Sequence, residues 1–144
     1  MGLRYLLFKA YRNSAIKKHR LNYLFWETTL RCNLNCLHCG SDCTKQSDVK
    51  DMPLEDFVKV LDNVKENGIT DLTVCITGCE PLLRKDIEKA GKEICARGYR
   101  WGIVTNALAL TPDRFSSLLN SGLSSISFSI DGLEQEHNHL RQNS

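Results

Sequence analysis

No long apolar run occurs anywhere in the 144 residues. The one N-terminal patch, Leu6-Leu7-Phe8, is broken by Lys9, which excludes a signal-peptide core and a membrane-crossing helix of about 18 apolar residues. A cytoplasmic location is the expectation. A strong charge excess is also missing: 19 basic against 17 acidic residues leave +2, so bulk charge gives no reason to expect a nucleic-acid partner. Acidic residues are absent until Glu27, while residues 1–20 hold Arg4, Lys9, Arg12, Lys17, Lys18 and Arg20. Leu3, Leu7 and Tyr11 recur there at helical spacing, so residues 1–20 read as a basic amphipathic helix or arm on the outside of the domain. Contact of that helix with an anionic membrane surface is the alternative.

Nor do the cysteines form a disulfide framework. Seven is an odd number, and Cys32, Cys36, Cys39 and Cys43 crowd into twelve residues. That pattern fits a reducing compartment and a metal, and it leaves Cys43 as a free thiol beside the metal or as a further ligand.

What the chain does have is alternation. Residues 23–30 read as a strand running into Cys32. A helix opens at Pro53, with Phe57, Leu61 and Val64 on one face, and closes at Asn67-Gly68. Residues 71–77 alternate as a second strand, and a helix over about 84–97 stops at Gly98. Residues 99–105 read as strand three, 112–120 as a helix ended near Gly122, and 124–130 as strand four. Strands alternating with helices across short turns predict a parallel sheet in an α/β fold. Four such units make a partial barrel, since a closed eight-stranded one takes about 250 residues. The chain, its residues 21–144 forming the main unit, is expected to be the front part of a longer domain.

In parallel α/β folds, functional groups collect at the carboxyl ends of the strands. Cys32 to Cys39 follow strand one, Gly78-Cys79-Glu80-Pro81 strand two, and Thr105-Asn106 strand three, while Ser129 and Asp131 close strand four. Thiolates at positions 32, 36 and 39 can hold three corners of a cubane iron–sulfur cluster and leave one iron open. The alternative is a zinc-stabilised α/β module, in which Cys43 completes a Cys₄ set. Thr105-Asn106 reads equally as a turn after strand three, and His38 as a loop imidazole.

The ordered set Cys32-x₃-Cys36-x₂-Cys39, Thr77-Gly78-Cys79-Glu80-Pro81-Leu82, Thr105-Asn106 and Ser127-Phe-Ser-Ile-Asp131-Gly132, followed by His137 and Arg141, resembles the radical S-adenosylmethionine (SAM) superfamily. The subgroup of peptide and sulfatase maturases and molybdenum-cofactor biosynthesis enzymes looks closest. The resemblance implies a [4Fe-4S] cluster on Cys32, Cys36 and Cys39, with SAM chelating the fourth iron. It places His38 beside the adenine, Gly78, Cys79 and Glu80 at the SAM amino group, Ser129 near the ribose or carboxylate, and Thr105 and Asn106 on the rim. It implies reductive cleavage of SAM to a 5′-deoxyadenosyl radical acting on a peptide or small molecule, with an electron donor as partner; no acid, base or nucleophile is singled out. Three positions depart from the family pattern. Cys79 replaces the second Gly of Gly-Gly-Glu, Ala107 stands where Gly is common after Thr-Asn, and His137-Asn138 stands for His-Asp. Cys79 and the early stop after strand four make a non-catalytic cluster-binding remnant the rival expectation.

Overall fold

The computed structural model describes residues 2–41, 43 and 47–142. Helix α1 (Leu3–Lys18) leads into strand β1 (Tyr23–Glu27), and a two-residue strand β2 (Asn35–Cys36) lies in the cysteine segment. Then come α2 (Leu54–Glu66), β3 (Thr73–Thr77), a 3₁₀ turn (Pro81–Leu83), α3 (Ile87–Ala96) and β4 (Arg100–Thr105). Helix α4 (Pro112–Asn120), β5 (Leu123–Phe128), α5 (Glu134–Leu140) and β6 (Arg141–Gln142) complete the order. Among the described residues no helix is long and apolar enough to cross a membrane.

The main sheet runs β1-β3-β4-β5 with every neighbour parallel, so the expected α/β architecture with four parallel strands is observed. Four elements lay outside the expectation: β2, the 3₁₀ turn, α5 and β6. Helix α5 follows β5, and β6 turns back to pair antiparallel with β2, Cys36 lying opposite Arg141. Neither two-residue strand carries enough sequence for a periodic pattern. Helix α1 forms over the expected segment but buries no residue, and its apolar side chains spread around the helix instead of gathering on one face.

Alternation along the strands sends one set of side chains to the helices. Trp26, Val74, Ile76, Trp101 and Ile103 meet Phe57 and Leu61 of α2, Ile87 and Ile94 of α3 and Leu118 of α4 in one core. Each fully buried side chain of this kind contributes about 1.5–3 kcal/mol. Trp26 stacks on Phe57 with ring centroids 3.8 Å apart, and the Arg84 guanidinium lies 5.2 Å from the Trp26 ring. Arg84 is itself buried. It donates to the carbonyls of Thr28 and Met52, both at 2.9 Å, and pairs with Asp86, so the end of β1, the entry to α2 and the start of α3 share one cation. Helix α3 therefore starts at Ile87, three residues later than its apolar pattern suggested, because Arg84 and Asp86 are taken up by this clamp. The opposite face of the sheet carries the register row Phe25, Cys75, Gly102 and Ser125. Ser124 is extra at the β4–β5 irregularity, and its hydroxyl donates to the Trp101 carbonyl at 2.6 Å.

Gly91 faces the Trp101 ring so closely that an added Cβ would sit 2.4 Å from Cζ2, while the indole N–H donates to the Ser121 carbonyl at 3.3 Å. In an exposed helix Gly→Ala is stabilising. Here Gly91→Ala is expected to lower stability by about 1–3 kcal/mol, seen as a lower urea midpoint at unchanged slope. A raised midpoint would contradict the packing described.

Candidate functional site

At the carboxyl end of β3 the chain turns at Gly78, whose φ is +135°. A Cβ there would lie 2.9 Å from the Thr29 carbonyl oxygen, so the position needs glycine both for its dihedral and for the close backbone approach. The turn is then pinned to the segment leaving β1. Cys79 N–H donates to the Thr29 carbonyl at 3.0 Å, and Glu80 N–H to the Arg31 carbonyl at 3.1 Å.

Glu80 is completely buried. Its Oε1 accepts from the Leu82 N–H at 3.0 Å and the Thr105 hydroxyl at 2.7 Å, and its Oε2 accepts from the Asn106 N–H at 2.8 Å. Three donors thus satisfy the carboxylate and lock the end of β3 to the end of β4. Asn106 carries the connection on: its side-chain amide donates to Asn33 Oδ1 at 2.8 Å and lies 3.9 Å from the Cys32 sulfur. Ala107 is held at φ +66°, a left-handed conformation that costs a non-glycine residue roughly 1–2 kcal/mol. Its N–H is anchored on the Thr105 hydroxyl at 2.9 Å.

The cysteine segment wraps over this rim. Cys32 is buried, and burial pushes its thiol up from the ordinary range; the neighbouring Glu80 and Cys36 charges add to the rise, while the Leu34 N–H, 3.4 Å from the sulfur, opposes it. The thiol is therefore protonated at neutral pH, and a metal that binds it displaces the proton. Cys36 is half-buried beside the Arg141 guanidinium, 3.9 Å away, and Cys39 is exposed. Leu37 N–H donates to the Leu140 carbonyl at 2.9 Å. Arg141 also pairs with Asp131, holding that carboxyl below its usual range, with the His38 and His137 charges acting in the same direction. His38 Nε2 lies 3.5 Å from an Asp131 carboxylate oxygen.

These groups enclose one cavity of about 180 Å³, lined by Cys32, Cys36, His38, Cys39, Gly78, Cys79, Thr105, Asn106 and Ser129, with Cys43 and Arg141 at its wall. Of the cluster and SAM-contact residues anticipated from the sequence, all but Glu80 line it; Glu80 lies behind it as a brace, and Asp131, expected on the same rim, is not in the lining. The expectation for Cys43 fails. It is neither a free thiol nor a fourth ligand but is bonded to Cys79, which its crowded spacing with Cys39 concealed. With Cys43 engaged, the Cys₄ zinc set is not assembled, and among the described residues no three His, Cys, Asp or Glu side chains converge on a single-ion site. Asn33, Asp131 and Arg141 were not anticipated as a supporting shell. Their contacts span up to 105 residues of chain and leave no local pattern.

The radical SAM superfamily model matches residues 26–144. The AdoMet-dependent heme synthase of Methanosarcina barkeri is 32% identical over 117 residues, covering 81% of this chain and 33% of that protein. The PqqA peptide cyclase of Bradyrhizobium diazoefficiens is 32% identical over 109 residues, 76% of this chain and 28% of that protein. The chain spans about a third of the length of these relatives. Among solved structures, Streptococcus suis SuiB bound to S-adenosylmethionine superposes with a TM-score of 0.69 at 22% identity, over 98% of this chain and 34% of that one, a likeness of fold.

Two outcomes are expected from the site's hydrogen bonds. Glu80→Gln places an amide N–H₂ against donors that need an acceptor, so stability falls by about 1–3 kcal/mol and the amide resonances of Leu82 and Asn106 shift; unchanged resonances would refute the brace. Asp131, with its folded value depressed, contributes stability that is present above the ordinary carboxylate value of about 4 and is lost as pH falls through its lower folded value. Acid titration should thus free Arg141 and β6 before the main sheet melts, and Asp131→Asn should remove that early phase. An identical acid profile in the variant would contradict the assignment.

Proposed function

The chain belongs to the radical SAM superfamily, and from that premise we propose that it binds a [4Fe-4S] cluster and SAM and carries out reductive SAM cleavage for modification of a peptide or small molecule. Membership implies both cofactors. The residues present fit them: three unpaired thiols on one loop open into one cavity, and no fourth cysteine is free there among the described residues, because Cys43 is bonded to Cys79. That donor set is the observation that carries the reading.

In this reading Cys32, Cys36 and Cys39 ligate the cluster. When bound, the pair supplies a 5′-deoxyadenosyl radical from SAM once an electron donor has reduced the cluster. The protein's share is placement and exclusion of water. Asn106 and Arg141 direct N–H groups toward the Cys32 and Cys36 sulfurs, a contact type that adjusts cluster potential. Gly78, Cys79, Thr105, Asn106, Ser129 and His38 form the wall against which SAM is oriented. Glu80 acts through Thr105 and Asn106, keeping that wall in place. Relatives named as a heme synthase and a peptide cyclase support both substrate classes. A cytoplasmic site of action accords with the free thiols.

The test is anaerobic reconstitution with iron and sulfide, reduction with dithionite, and assay of 5′-deoxyadenosine. The expected result is a brown protein with about four irons that forms deoxyadenosine, with each of Cys32→Ala, Cys36→Ala and Cys39→Ala losing the chromophore. A brown protein forming none would support a cluster carrier without SAM chemistry. A colourless protein would overturn both.

A further inference from the structure

Cys43 and Cys79 lie 36 residues apart in sequence, with their Cα atoms 5.7 Å apart and their sulfurs joined. The two ends of this bond are held very differently. Cys79 is fixed by the backbone, since its own N–H and that of Glu80 are bonded to the segment leaving β1, and Gly78 ahead of it is locked by close approach to Thr28 and Thr29. Cys43 sits on the connection after Cys39. Among the described residues from Gly40 to Lys50, the bond to Cys79 is the one covalent tie to the strand-end rim; Val49 N–H donates to Ser47 Oγ at 3.2 Å within the same connection, and Val49 and Lys50 lie beside Glu27–Leu30 at the end of β1. Polar ties to the rest of the fold resume at Asp51, which pairs with Arg31 at 2.5 Å, and at Met52, whose carbonyl accepts from Arg84. Both cysteines are half-buried and line the same cavity as Cys32, Cys36 and Cys39, so a molecule that enters the cavity meets the bond.

We propose that Cys43–Cys79 is a thiol-exchange site in the cavity wall, opened by a small thiol or dithiol, and that opening it releases Cys43 from the Gly78–Glu80 turn. The proposal rests on the cofactor reading of the cavity for its significance, not for its chemistry. In the first step the attacking thiolate forms a mixed disulfide with one cysteine, and the S–S bond breaks to leave the other as a thiolate that takes up a proton. In the second step another thiol attacks the outer sulfur and releases the remaining cysteine. Two small thiols are oxidised to one small disulfide, and the protein disulfide gains two electrons and two protons. The reverse exchange, with a small disulfide as oxidant, closes the bond. The closed form holds the chain four residues beyond Cys39 against the Gly78–Glu80 turn. The open form frees the most exposed of the three proposed ligands from that restraint and places two further thiols in the cavity.

The test uses the full chain without cluster, so that it is independent of SAM chemistry. The protein is equilibrated in buffers of varied small thiol-to-disulfide ratio, alkylated and analysed by peptide fragmentation, and in parallel exposed briefly to trypsin. The expected result is a reversible Cys43–Cys79 cross-link in the oxidised buffer and alkylation of both residues in the reduced one. Cleavage after the exposed Lys50 should be about tenfold faster on reduction. Cys43→Ser should be cleaved at the faster rate in both buffers. A cross-link joining other cysteines, or a Lys50 cleavage rate indifferent to reduction, would overturn the proposal. Failure of cluster reconstitution with an intact redox response would instead count against the cofactor reading alone.

Discussion

The site depends on a carboxylate that never reaches it. Glu80 is completely enclosed, and an enclosed carboxylate is tolerated only when its lone pairs are satisfied. The donors that satisfy it are backbone and hydroxyl groups from the ends of two neighbouring strands, so the requirement of one side chain fixes the relative position of β3 and β4 at the rim. Asn106, positioned by its own N–H on Glu80, then spends its side chain on Asn33 and the Cys32 sulfur. The cysteine loop is thereby referenced to the sheet through two hydrogen-bonded steps.

A second reference comes from the far end of the described chain. Arg141 holds Asp131 with its fork and approaches Cys36 with the same guanidinium, while β6 pairs with β2. Cys32 is thus aligned from the strand ends and Cys36 from the segment after β5. Cys39, which lacks either kind of neighbour among the described residues, is the exposed one. The order of burial along the three cysteines follows the order of their support.

Much of this was readable in the chain because it rests on short-range periodicity. Phe57 and Leu61 reported the buried face of α2, alternation in 71–77 reported one strand and 99–105 read as the next, and strand-end placement collected Cys32, Gly78, Thr105 and Ser129 on one rim. What escaped was contact-defined. Nothing in the neighbourhood of Arg84 announces that it clamps three segments, and nothing near residue 141 announces that it closes on residue 36. Glu80 was read as a cofactor-binding residue after strand two, and its carboxylate is turned to Leu82, Thr105 and Asn106, because a sequence does not say on which side of a turn a carboxylate falls. Cys43 was misread because proximity to Cys39 in sequence suggested a shared metal, whereas its bonded partner is 36 residues away.

The β2–β6 ribbon has a consequence for the protein's synthesis. Cys36 and Arg141 are separated by 105 positions, so at about 5–20 residues per second the thiol-bearing loop waits roughly 5–20 seconds on the ribosome before its anchoring strand is made. During that interval three closely spaced thiols are present without the Asp131–Arg141 pair that later fixes one of them. The nascent chain is thus open to oxidation and to stray metal at the stage when the cell has the least folded structure with which to shield it.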